Sequence, residues 1–316
     1  DAQESRGLGD VYKRQRLDHA MDHLDGKAAL TNLFVDFWNP LMTHLKKQNP
    51  SLKTVAEQAE WRDYGYDYLQ KAGVDRMFGF GLQQAIVSFD KQNLIKNADT
   101  ILAKCPTDKD QIIFIENHDI DRFASIEPNK DKQRVAASLM LLIGGIPSIY
   151  YGQEIGMLGK NGTWGGTDGN DIPRRTAFKW NKSYEGKGMA TWYRSEDASW
   201  NKAHLNVNDD ISLEAQIKDT SSLFNYYKTM IKLKQSNPAL ALGSYANVIN
   251  DNSKVFSFLR TYQQHKVLVV VNLSNELQTA SLESNFQKTK LLYGSTKLNQ
   301  QLITLSPYQI EVFEVK

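Results

Sequence analysis

From residue 16 to about residue 242, short apolar runs alternate with amphipathic helical segments, and this alternation constrains the chain more than any other feature. A strand, a helix and a further strand build a parallel pair, so the segment reads as successive βα units of one sheet. Helical spacing is clearest in Leu30, Leu33, Phe34, Phe37, Trp38, Leu41, Met42 and Leu45, where Pro40 is expected to kink the helix. A second helix carries Val135, Ala136, Leu139, Met140 and Ile143 and stops at Gly144 and Gly145. A third carries Leu223, Tyr226, Tyr227, Met230 and Ile231 and ends before Pro238. Strands are expected at about 52–56, 75–81, 111–115 and 146–151, continuous apolar runs that suit a sheet covered on both faces. After about residue 243 the pattern turns purely β, with Val255 to Tyr262, Lys266 to Asn272, Lys290 to Tyr293 and Tyr308 to Val315 separated by Asn, Ser and Gly clusters. That pattern implies a small sandwich-like domain.

Charge narrows the ligand. Lys plus Arg, 38, stand against Asp plus Glu, 36, for a net +2, and no block of five like charges occurs. Nucleic acid and anionic lipid are poor partners for such a chain, and a neutral ligand fits better. The longest apolar stretches, Leu139 to Ile143 and Val267 to Val271, are five residues each, far short of a membrane span. The single cysteine, Cys105, excludes an internal disulfide and a thiolate zinc cluster, and its apolar setting reads as a small core residue closing a helix. Residues 1–15 show no periodicity and lack the apolar core of a secretory signal, so they read as a leader foreign to the fold. Residues 157–215 form a long Gly-, Asn-, Asp- and Trp-rich stretch, the kind of loop that usually carries function.

Three strand ends carry a carboxylate: Asp18 after Arg16-Leu17, Glu57 after Val55-Ala56, and Asp119 at the end of Phe114-Ile115-Glu116-Asn117-His118. In a (β/α)8 barrel the C-terminal strand ends converge on one mouth. Convergent carboxylates without a metal cluster are the equipment of glycoside cleavage, in which one attacks the anomeric carbon and a protonated one feeds the leaving oxygen. Arg16 shares a strand face with Asp18 and should keep it ionised, which suits a nucleophile. Glu57, among Val55, Ala56 and Trp61, has a less polar setting that suits a general acid. His118 and Asp119 are placed to hold sugar hydroxyls. Trp61, Tyr64, Tyr66, Tyr150, Tyr151 and Trp164 are candidates for stacking on pyranose faces.

These segments, together with Gly145-Ile146-Pro147-Ser148-Ile149-Tyr150-Tyr151-Gly152-Gln153-Glu154, resemble in order successive conserved regions of the alpha-amylase family, glycoside hydrolase family 13. The resemblance runs from about residue 16 to the C-terminus. It implies Asp18 as nucleophile, Glu57 as acid/base, Asp119 as the residue fixing substrate hydroxyls, and Arg16 and His118 as binding partners. Gly169-Asn170-Asp171-Ile172-Pro173-Arg174-Arg175 resembles the loop after the last barrel strand, so Arg174 and Arg175 are candidates to reach the substrate. The fold it implies is a partial (β/α)8 TIM barrel, about the fourth to eighth βα units over 16–242, followed by an all-β sandwich over 243–316. The function it implies is retaining hydrolysis of α-glucosidic bonds in starch, maltodextrin or malto-oligosaccharides. Transfer of the glucosyl unit to another sugar, or an inactive carbohydrate-binding homologue, are the alternatives.

Two features depart from the family pattern. Its first conserved region has no counterpart, and Arg14-Gln15 stands where the family has Gly-Phe. The chain is therefore expected to be a fragment beginning at the fourth strand, preceded by roughly 100 to 250 further residues, and to be inactive and aggregation-prone alone. Many members also bind calcium partly through the carbonyl of a His four residues after the nucleophile. That position is Asp22 here, with His23 following, so calcium is a possible cofactor and no other is implied. Asp168 to Asp171 does not have EF-hand spacing.

Overall fold

The computed structural model describes residues 14–21, 32–58, 65–162, 168–183, 188–190, 211–284 and 286–316. Five strands, β1 (Arg14–Ala20), β2 (Lys53–Gln58), β3 (Arg76–Phe78), β4 (Asp110–Ile113) and β5 (Ile146–Pro147), pair in sequence order. Every pairing is parallel. Sequential order in a parallel sheet is the connectivity of consecutive βα units, and it brings all five C-terminal strand ends to one edge of the sheet. β1 begins at Arg14, inside the segment read from sequence as a leader, because Arg14 and Gln15 pair with Lys53 and Thr54.

Helices α1 (Asn39–Gln48), α2 (Phe80–Ser88), α3 (Lys91–Ile101), α4 (Phe123–Ile126) and α5 (Lys130–Leu142) lie between or beside these strands. Pro40 does not kink a continuous helix. A wide π-type turn over Phe34–Trp38 precedes α1, and Pro40 sits in the first turn of α1, where its missing N–H is not needed. Two strands end sooner than their apolar runs suggested. Gly79 breaks β3 and caps α2, so Phe80 opens a helix, and after Pro147 the chain turns through Tyr150 and Tyr151, with the Gln153 amide donating to the Tyr150 carbonyl at 3.0 Å. α5 is all but sealed, with Val135 through Leu142 buried, and side-chain oxygens cap it at Asn129 and α3 at Asp90.

Helices α6 (Leu213–Gln216), α7 (Leu223–Ser236) and α8 (Pro238–Leu242) lead to the β region, and the change from helix to sheet falls between Leu242 and Ser244. There β6 (Ser244–Asn247), β7 (Val255–Tyr262), β8 (His265–Asn272), β10 (Thr289–Tyr293) and β12 (Ile310–Val315) form an antiparallel sheet in the order β10-β12-β8-β7-β6. β9 (Gln278–Ser281) and β11 (Leu302–Leu305) pair as a separate ribbon. Period-2 alternation divides β8 between two cores: Val267, Val269 and Val271 join the helices α5, α7 and α8, while Leu268 and Val270 face the β9-β11 ribbon. The two halves therefore share a continuous hydrophobic core. Buried Arg260 fastens them further, donating to the carbonyls of Ile143 and Gly243 at 2.5 Å each. No described helix is long and apolar enough to cross a membrane.

Candidate active site

The parallel register sets Arg16 beside Val55, and Leu17 beside Ala56, but the next matched pair is Ala20 with Gln58. Asp18 and His19 thus bulge opposite Glu57, with His19 at φ 39°, a left-handed conformation uncommon outside glycine. The bulge re-aims the end of β1 towards the end of β2. One guanidinium joins the two carboxylates: Arg16 Nη1 lies 2.5 Å from Asp18 Oδ1 and Nη2 lies 2.7 Å from Glu57 Oε2. The nearest oxygens of Asp18 and Glu57 are separated by no more than the width of this fork and two ion-pair contacts. They differ sharply in exposure, the Asp18 side chain being 73% accessible and that of Glu57 9%. The His19 amide also donates to Glu57 Oε2, at 3.3 Å. Glu57 therefore has a cation and an amide beside it, and it lines a cavity together with the rings of Phe78 and Phe114.

Beyond β4 the Asn117 side chain accepts hydrogen bonds from the amides of Asp119 and Ile120, at 2.9 and 3.1 Å, and so shapes the turn that presents Asp119. Two arginines close on this turn. Arg174 donates to the Asp119 carbonyl at 2.6 Å and pairs with Asp171. Arg175 Nε donates to the His118 carbonyl at 3.0 Å, while its Nη2 reaches Asp119 Oδ1 at 3.0 Å and Asp171 Oδ2 at 2.8 Å. His118 Nε2 lies 3.2 Å from the other Asp119 oxygen.

A cavity of about 210 Å³ opens at these strand ends, walled by Arg16, Glu57, Phe78, Phe114, His118 and Tyr150 among others. Asp18 and Asp119 are not among its walls, yet each contacts a residue that is, Arg16 and His118 respectively. The structure thus gathers Arg16, Asp18 and Glu57 in one cluster and His118, Asp119, Arg174 and Arg175 in another, with the cavity between. Trp61, Tyr64, Trp164, Asp22 and His23 lie outside the described residues. Among the described residues no group of three or more His, Cys, Asp or Glu side chains could hold a metal ion.

Several residues that shape the site were not singled out from sequence. Glu116 and Arg122 form an ion pair at 2.9 Å beneath it, both side chains essentially inaccessible. Burial pushes the Glu116 carboxyl above the usual carboxylate range, against the opposing pull of Arg122. Asp171, seen in sequence only as a loop acid, is the counter-ion shared by both arginines. Burial likewise raises the carboxyl of Glu154.

The model of the alpha-amylase catalytic domain matches residues 28–243, more than half of the chain. The chain belongs to the alpha-amylase family. A second model, that of the alpha-amylase SusG C-terminal domain, matches residues 255–309. Relatives of this alpha-amylase family chain include alpha-amylase 3 of Dictyoglomus thermophilum, 25% identical over 89% of this chain and 55% of its own length. Alpha-amylase SusG of Bacteroides thetaiotaomicron is 26% identical over 75% of this chain and 32% of its own length. The oligo-1,6-glucosidase of Bacillus cereus is 26% identical over 65% and 42%. The chain thus spans about half or less of the length of these relatives. Among solved structures, the alpha-amylase from H. orenii superposes with a TM-score of 0.74 at 23% identity, covering 100% of this chain and 63% of its own. The isomaltulose synthase SmuA from Protaminobacter rubrum gives 0.74 at 19% identity, covering 100% and 67%. Over the part they share with this chain, both have its fold.

Proposed function

We propose that the enzyme carrying this chain is a retaining glycoside hydrolase that cleaves α-glucosidic bonds of starch, maltodextrin or malto-oligosaccharides. The observation that carries this reading is the Arg16 fork holding Asp18 on one tine and Glu57 on the other. A fixed cation between two carboxylates keeps them close without direct like-charge contact, an arrangement that serves double displacement. Asp18, the exposed member, attacks the anomeric carbon as the bond to the leaving oxygen breaks, and Glu57 gives that oxygen its proton. A covalent glycosyl ester on Asp18 results. Glu57, now ionised, then takes a proton from water, which attacks the anomeric carbon and frees Asp18. Two inversions leave the α configuration. Asp119, braced by Arg175 and His118, holds sugar hydroxyls as charge develops on the ring, and Arg174 fixes the backbone behind it. Trp61 is assigned to ring stacking on its sequence position alone.

The test follows product configuration by proton NMR during turnover of a malto-oligosaccharide by the enzyme carrying this chain. Initial release of the α anomer is expected, and initial β anomer overturns the reading. Glu57→Gln should lower turnover by roughly 10²- to 10⁴-fold while the protein stays folded, and a near-parental rate in that variant also overturns it. Product analysis with added acceptor sugars separates hydrolysis from transfer.

A further inference from the structure

The two oxygens of Glu57 meet different surroundings. Oε2 accepts hydrogen bonds from Arg16 Nη2 at 2.7 Å and from the His19 amide at 3.3 Å, and among the described residues no donor reaches Oε1. A carboxylic acid carries its proton on one oxygen and uses the other as an acceptor. Two N–H donors aimed at Oε2 occupy the acceptor end, so the proton sits on Oε1. Of the two donors, the amide is the fixed one. The Arg16 guanidinium ends a flexible, partly exposed side chain and divides itself between Glu57 and Asp18, whereas a main-chain N–H cannot turn without its peptide plane.

The backbone that supplies this amide is unusual. An unbroken parallel ladder uses its strand amides on main-chain carbonyls, and the bulge, which sets Asp18 and His19 against Glu57, frees this one for a side chain. The cost is the φ of 39° at His19, a conformation that persists only where the surroundings over-determine it. Both flanks are held. Leu17 pairs with Ala56 before the bulge and Ala20 with Gln58 after it. The hydroxyl of buried Tyr68 donates to the Ala20 carbonyl at 2.5 Å, and the Trp38 indole donates to the Met21 carbonyl at 2.7 Å. The His19 side chain is exposed, so packing of the imidazole in the core does not account for the conformation.

We infer that His19 is a positioning residue for the general acid: its left-handed backbone turns the amide onto Glu57 Oε2 and so reserves Oε1 for the proton that is donated. The inference rests on the acid role given to Glu57 above. In the first step the Oε1–H bond breaks and its proton joins the glycosidic oxygen, while the bond from that oxygen to the anomeric carbon breaks and Asp18 forms its own. The electron pair left on Glu57 spreads to Oε2, where Arg16 and the amide already stand, so no donor has to move as charge develops. In the second step Oε1 takes a proton from water, whose oxygen bonds to the anomeric carbon as the ester to Asp18 breaks.

The test compares His19→Ile, His19→Asn and His19→Gly in the enzyme carrying this chain, with maltotriose and α-maltosyl fluoride as substrates. Fluoride leaves as an anion and needs no proton, so its release in the first turnover reports on Asp18 without the acid. Ile is an outlier at positive φ and is expected to straighten the bulge and withdraw the amide. Its kcat on maltotriose should fall about tenfold, a fraction of what proton donation supplies, with KM nearly unchanged and first-turnover fluoride release kept. Asn and Gly accept left-handed backbone and should restore the maltotriose rate. A parental maltotriose rate in His19→Ile overturns the inference, as does fluoride release that falls with it, or Asn and Gly variants as slow as Ile. Failure of the acid reading shows separately, as a near-parental rate in Glu57→Gln.

Discussion

The Arg122 guanidinium lies 4.1 Å from the centre of the Tyr150 ring and so couples a sealed interior charge to the wall of the cavity that Glu57 and His118 line. Arg122 is 0% accessible, and its bonds run to three segments around the cavity. Nη1 reaches Glu116 at 2.9 Å and the Tyr151 carbonyl at 2.6 Å, and Nε donates to the Arg174 carbonyl at 2.9 Å. The end of β4, the Tyr150-Tyr151 turn and the Arg174-Arg175 loop are thereby pinned to one rigid fork, which no lysine can replace.

Arg122→Met should destabilise the protein by about 3–5 kcal/mol, because it leaves the Glu116 carboxylate buried without its counter-ion. Denaturant unfolding of the enzyme carrying this chain measures this. Adding Glu116→Gln removes the stranded charge, so the double variant is expected to be more stable than Arg122→Met alone. A double variant no more stable than the single shows that the charge pair is not what the site is built on.

Arg16→Lys keeps a positive charge but cannot hold Asp18 and Glu57 on separate nitrogens of one plane. Turnover by the enzyme carrying this chain is expected to fall by about two orders of magnitude, the scale seen when one preorganised donor is lost. The unfolding midpoint should change little, since the exposed Asp18 pair contributes little and the lysine ammonium keeps a positive charge beside buried Glu57. Steady-state kinetics beside a melting curve distinguishes this outcome from simple unfolding.

Sequence made the parallel half and the strands from Val255 onward legible because their apolar runs were long or strictly alternating, as in Val267 to Val271. It overextended β3 and β5, where Gly79-Phe80 and Ile149-Tyr150-Tyr151 are apolar for reasons of cavity lining and turn packing rather than pairing. The short strands β6, β9 and β11 escaped notice because four residues each are too few to show a period. At the site, the strand-end acids Asp18, Glu57 and Asp119 stood out as charges closing apolar runs. The bulge at Asp18-His19 did not, since it depends on the register against β2. Arg122 and Asp171 did not either, because a charge in a polar loop gives no sign of being buried or shared until the fold is known.

Lys234, near the end of α7, donates to the Leu240 carbonyl at 3.0 Å, and burial, reinforced by nearby Arg260, lowers its ammonium to about 8 from an ordinary 10.5. The charged form is thus penalised in the folded state. Below pH 8 the lysine is protonated folded and unfolded, and the penalty is fully present. Between pH 8 and 10.5 the native state gives up its proton first, so the penalty is relieved as pH rises. Comparing Lys234→Met with the parent in urea at a series of pH values should show the parent gaining on the variant from pH 8 upward. A pH-independent difference contradicts the assignment.

Cys105 follows the end of α3, packs at the edge of the core that contains Met42 and Leu69, and directs its sulfur towards the Lys109 carbonyl at 3.6 Å. Burial, reinforced by the negative charges of Asp110 and Asp108, pushes its thiol up from 9.0 to about 11. The thiolate is the reactive form, so at pH 8 only about one molecule in a thousand is poised to react. Alkylation by iodoacetamide is therefore expected to be slow in the folded chain at pH 8 and to quicken about tenfold per pH unit towards pH 11. Urea-unfolded chain, freed of both causes, should react far faster at pH 8 and level off nearer pH 9. A folded-state rate that reaches its plateau below pH 9 contradicts the placement of this thiol in an apolar pocket beside two acids.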